Sequence, residues 1–136
     1  MATNKIPRGI RNNNPLNIRI GNKWQGEVKN PTDKAFEQFI SMEYGLRAGF
    51  IILRRYIRNY GRNTIARIVA AWAPSNENNT RAYVLAVSKR TRLNYDLPVR
   101  FQDKEVMCSI VSAMIEVECG QSISMDLIRK GYDMAQ

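Results

Sequence analysis

A chain of 136 residues, 44% of them apolar, has the length and composition of one folded domain, which excludes a multidomain assembly and a wholly disordered polymer. Lys and Arg number 21 against 12 Asp and Glu, and the resulting charge of +9 favours polyanions: nucleic acid, an acidic membrane face or a bacterial wall. Histidine is absent, which excludes Ser-His and Cys-His catalysis and argues against zinc, so any chemistry falls to carboxylates, Tyr, Lys or Arg.

Residues 1–136 read as a single domain, with 1–8 loose at its start. The opening MATNKIPRGIRNNN has no apolar core and does not read as a secretory signal. Strand character is confined to residues 8–40. Leu16 to Ile20 alternates apolar and polar, Gly21-Asn22 offers a turn, and Lys23 to Val28 runs back. Asn30 to Asp33 is a second turn before a third short strand, Ala35 to Ile40. Trp24 reads as the aromatic that packs this sheet on the helices.

From Ser41 the period becomes helical. Ser41 can cap, Glu43 lies in the first turn, and Leu46, Phe50, Leu53, Ile57 and Tyr60 form an apolar stripe ending at Gly61. Arg47, Arg54, Arg55 and Arg58 lie off that stripe and read as a solvated face. Thr64 opens a shorter helix, Ile65 to Trp72, which Pro74 stops. Asn78, Asn79 or Thr80 caps the next, Arg81 to Thr91. Asp103 caps the most apolar helix, which Gly120 ends, and Ser122 or Ser124 starts the last, Met125 to Met134. Cys108 and Cys119 share one helix, about 16 Å apart at its rise per residue, too far to bridge; free thiols fit a reducing cytoplasm. No run is long enough to span a bilayer. The expected fold is α+β and mainly helical, with a small antiparallel sheet near the N-terminus and about five helices.

The loop Trp72 to Thr80, followed by Tyr83, carries more polar groups than two helix caps require. Indole and phenol faces beside the Glu77 carboxylate and the amides of Asn78 and its neighbours suit a sugar or nucleotide; a capped corner with a buried Trp is the plainer account. Glu118 is the leading acid. It ends the most buried helix on the side of Met114 and Ile115, where desolvation and the helix dipole both raise its pKa, as a general acid requires. The alternative is that it turns to solvent or pairs with an arginine. Glu43, at a helix N-terminus, suits a base or an electrostatic stabiliser. Two carboxylates in unlike surroundings are consistent with glycosidic cleavage. The basic residues are dispersed, with no recognition motif, which argues against nucleic acid.

The run Arg8 to Arg19 (RGIRNNNPLNIR), with Trp24-Gln25-Gly26, resembles the opening of a family of phage and prophage proteins known as virion structural proteins or peptidoglycan hydrolases. Phe36 through Ala48, the loop Trp72 to Thr80 with Tyr83-Val84, and Glu118-Cys119-Gly120-Gln121 extend the resemblance over nearly the whole chain. Leu16 stands where a glycine is usual, and Cys119 where asparagine is. A fainter likeness links the chain to lytic transglycosylases and glucosaminidases of the lysozyme superfamily. There the helix ending in the catalytic Glu precedes the hairpin; here the hairpin-like motif comes first and Glu118 last, the order of a circular permutation.

The resemblance implies a lysozyme-like domain that cuts the β-1,4 link between N-acetylmuramic acid and N-acetylglucosamine, as a transglycosylase or a muramidase. Glu118 would be the acid and Glu43 a stabiliser or base. Asn14, Asn17, Trp72, Glu77, Asn78, Thr80 and Tyr83 would line the glycan groove, with no metal or organic cofactor. The other role it implies is a virion protein that binds glycan or neighbouring subunits without cutting. Either way the expected partners are wall peptidoglycan and other virion proteins. The protein would be made in the bacterial host cytoplasm, and would act on the wall as a virion component or after release.

Overall fold

Side chains, rather than strand partners, satisfy much of the backbone in the first forty residues, and this decides the fold class. The computed structural model describes residues 5–76 and 78–136. The expected sheet is absent among them: the only strand-like pairings are two isolated bridges, Arg19 with Phe36 and Glu27 with Phe39. The Asn14 amide donates to the Ile18 and Glu37 carbonyls, and its oxygen accepts from the Ile18 N–H. Gln38 Oε1 accepts from the Thr32 and Asp33 amides, while Asp33 Oδ1 accepts from those of Ala35 and Phe36. Such local bonds compete with a ladder. Left-handed backbone at Asn13, Asn17 and Gly26 breaks the extended runs as well. The α+β expectation, with its antiparallel sheet, is therefore corrected to an all-helical domain carrying an irregular N-terminal loop layer.

The described residues form six helices: α1 (Arg8–Arg11), α2 (Met42–Tyr60), α3 (Ile65–Trp72), α4 (Thr80–Thr91), α5 (Lys104–Cys119) and α6 (Met125–Met134). The one-turn α1 was not expected, and it places Arg8 in a helix rather than a loose end; residues 1–4 lie outside the described residues. Thr64 caps α3, Asn79 caps α4 and Ser124 caps α6, each side chain accepting a backbone N–H. Ser41 and Asp103 occupy cap positions without making that bond. Gly61 and Gly120 end α2 and α5 in the left-handed conformation.

The buried core runs through α2, α3, α4, α5 and α6, with Phe50, Leu53, Ile68, Val87, Ile110, Met114 and Ile128 fully enclosed. α2 packs most extensively on α6, and α4 on α5. The loop layer closes the other side of α2 at very short range. A Cβ on Gly45 would lie 1.9 Å from the Asn13 carbonyl oxygen, so only glycine admits this approach. Leu16, fully buried, fills the space left by Gly49. Both cysteines are free and buried.

Candidate functional site

Three elements converge on residues 15–17. Trp72, at the end of α3, donates its indole N–H to the Leu16 carbonyl at 3.2 Å. The Cys119 thiol, in the last turn of α5, donates to the Pro15 carbonyl at 3.2 Å. Asn17 then stands in left-handed backbone, φ 55°, and its amide donates to Glu118 Oε1 at 2.9 Å. From α4 the Tyr83 hydroxyl donates to the other carboxylate oxygen at 2.9 Å. Both Glu118 oxygens are thus held by neutral donors, and no cation is paired with it among the described residues.

Burial raises the Glu118 pKa above the ordinary carboxylate range, and the bonds from Asn17 and Tyr83 pull the other way without cancelling it. The Tyr83 phenol is pushed far up by burial and by the adjacent carboxylate, so it stays neutral. Burial likewise raises the Cys119 thiol, to about 11, with Glu118 adding to it. The result is one carboxyl group that holds its proton more firmly than an exposed glutamate does, flanked by groups that do not compete for it.

Glu118 opens into a hollow of about 160 Å³ lined by Asn17, Arg19, Phe36, Trp72 and Asn78. Two larger hollows adjoin it. One, about 390 Å³, shares Asn17, Arg19 and Trp72 and continues past Arg55, Tyr56 and Tyr60. The other, about 450 Å³, shares Asn78 and continues along Tyr83, Ala86 and Val117. Together they make a groove with Glu118 in its middle section. A separate hollow, about 530 Å³ around Arg8, Asn12 and Asp33, shares no lining residue with the groove. Its polar groups bind one another, Arg8 to Asp33 by two bonds of 2.7 Å and Asn12 to Asp33 at 2.9 Å, and it serves the loop layer.

Of the residues singled out in the sequence, Asn17, Trp72, Asn78, Tyr83 and Glu118 meet at this groove. Asn14 does not: it is fully buried and holds the loop backbone. Thr80 donates to the Ala73 carbonyl at 2.5 Å and shapes the corner. Glu43 lies on the first turn of α2, 3.5 Å from Lys130 of α6, and lines none of the three hollows. Glu77 lies outside the described residues.

Sequence reading missed Arg19, Phe36, Arg55, Tyr56 and Tyr60 as groove residues. Arg19 and Phe36 lay inside segments read as strands, Tyr60 inside the apolar stripe and Arg55 on the solvated face, while Tyr56 belonged to neither. Glu37 was missed as well. Its side chain is buried beside Glu27, and desolvation together with that neighbouring carboxylate raises its pKa to about 7. No helix is long and apolar enough to cross a membrane, and no cluster of three or more His, Cys, Asp or Glu could hold a metal, among the described residues.

No protein-family model matches the chain. It is 38% identical over 135 residues to Protein P5 of Pseudoalteromonas phage PM2, an alignment covering 96% of this chain and 82% of that protein.

Proposed function

The chain belongs to the family of Protein P5 of phage PM2, and from that premise we propose that it is a phage protein that engages cell-wall glycan and cleaves it at Glu118. The observation carrying this reading is the partly buried carboxyl, raised in pKa and held at the centre of a groove by two neutral donors. Protonated, Glu118 donates to the bridging oxygen of a β-1,4 link between N-acetylmuramic acid and N-acetylglucosamine, and the C1–O bond breaks as positive charge develops on the ring. Glu118, now ionised, takes a proton back from the oxygen that attacks C1. Among the described residues it is the sole carboxylate lining the groove.

A second reading has its own support. The relative comes from a phage, and both Glu118 oxygens already have partners, as a purely structural carboxyl would. On this reading the protein is a virion component whose groove binds glycan or a neighbouring subunit without cutting. Loss of turbidity of purified peptidoglycan separates the two. Cleavage predicts clearance by the wild type and a loss of about a hundred- to ten-thousandfold in Glu118→Gln, with folding and glycan binding kept. Glu43→Gln should retain most activity, since Glu43 is paired outside the groove. Folded wild type that clears no wall moves the assignment to the binding role.

A further inference from the structure

The groove is electrically lopsided. On the side of Asn17 and Trp72 it presents Arg19 and Arg55, both exposed, with Arg62 beyond them. None of the three pairs with a carboxylate among the described residues; each lies over an aromatic ring. Arg19 is 5.0 Å from the centre of Phe36, Arg55 5.6 Å from Trp24, and Arg62 about 5 Å from Tyr56 and Tyr60. Ring stacking fixes a guanidinium without neutralising it, so its donors stay available. At the opposite end the one arginine, Arg90, is paired with Glu116 at 2.6 Å, and the remaining lining is uncharged: Asn78, Asn79 and Tyr83 with Ala82, Ala86 and Val117.

We infer that the Arg19–Arg55 arm of the groove is a subsite for a negatively charged sugar, and that the Tyr83 arm takes uncharged ones. The stacked arginines would grip carboxylates borne by the glycan, such as the lactyl group and stem peptide of muramic acid, while Trp72, Tyr56 and Tyr60 offer faces to the sugar rings. The two arms would then set the direction in which a strand lies across Glu118. This rests on the groove being a glycan site. Single-stranded nucleic acid would use the same aromatic and basic groups. A charged arm confined to one end and joined to a pocket holding a protonatable carboxyl favours the acidic glycan.

The test is calorimetric titration in the Glu118→Gln background with three probes: chitohexaose, a peptidoglycan hexasaccharide carrying its lactyl and stem carboxylates, and a short oligothymidylate. The acidic hexasaccharide should bind more tightly than chitohexaose at low salt, and the advantage should shrink as salt screens the charges. Arg19→Gln/Arg55→Gln should lose about tenfold in affinity for the acidic glycan, leave chitohexaose unchanged, and be rescued by the double Lys variant. Equal losses for both glycans would overturn the inference, because the arginines would then act only by packing. So would tightest binding to the oligothymidylate. Wall clearance by the wild type with no preference for the acidic glycan would overturn the subsite and leave the proposed cleavage standing. A preference without clearance would uphold the subsite in a protein that binds and does not cut.

Discussion

Asn17 and Tyr83 oppose burial at Glu118, and this makes the site testable one residue at a time. Their bonds stabilise the carboxylate and lower its pKa, whereas desolvation raises it. Removing the phenol hydrogen bond in Tyr83→Phe should therefore raise the Glu118 pKa further. On the proposed cleavage, the alkaline limb of the activity profile, where Glu118 would lose its proton, should move to higher pH; a shift to lower pH would contradict this balance. Glu37 provides a stability test with a defined sign. Its folded pKa, about 7, lies above the ordinary carboxylate value of 4.5 because of burial and the nearby Glu27. Its contribution is thus fully present below that ordinary value and is lost as pH rises through about 7. Glu37→Gln should melt close to wild type at pH 4 and above it at pH 8.

Asp33 has the opposite sign. The Arg8 guanidinium, with the Ala35 amide and the Asn12 side chain, holds its carboxyl far below the usual range. That stabilisation is present above the ordinary carboxylate pKa and fades as pH falls toward the lowered one. Asp33→Asn should reduce the melting temperature at neutral pH and flatten its decline in acid. A variant as acid-sensitive as wild type would remove Asp33 from the account.

At the scale of elements, α2 is the strut on which the others are hung. Its Gly45 admits the loop that delivers Asn17, and its other side meets α6, where a Cβ on Gly131 would lie 2.4 Å from Leu46 Cβ. Gly131→Ala should overpack this contact and cost about 1–3 kcal/mol in urea unfolding, with groove chemistry retained at low temperature. α4 depends on a single cap, Asn79, whose oxygen accepts from the Ala82 N–H. Asn79→Ala should cost about 1 kcal/mol. These elements were largely legible beforehand: the cap at Thr64, one of three candidates (Asn79) before α4 and one of two (Ser124) before α6, glycine stops at 61 and 120, and regular apolar spacing. The strands were not, because alternation in Leu16 to Ile20 looks the same whether the backbone meets another strand or the side chain of Asn14.

On the whole-molecule scale, the charge of +9 is unevenly available. Arg8, Arg90, Lys104 and Arg129 are paired with carboxylates, whereas Arg19 and Arg55 are free among the described residues. Adsorption to isolated wall should fall steeply between about 0.05 and 0.5 M salt, as the screening length shrinks from above 10 Å to a few ångströms. Adsorption indifferent to salt would mean that the aromatic groups dominate.

Composition, helical periodicity and capping residues determined, from sequence alone, the helices α2 to α6 and the burial of Glu118 at the end of α5, because such signals act over a few neighbouring residues. Motif resemblance pointed to a phage protein. Tertiary structure decided what those signals do not encode. Asn17 and Glu118, 101 positions apart, meet through a hydrogen bond. Glu43 is drawn off to Lys130. Asn14 is consumed by backbone. The expected sheet gives way to side-chain bonds. Each outcome depends on which group reaches a polar atom in three dimensions, and adjacency along the chain carries little of that information.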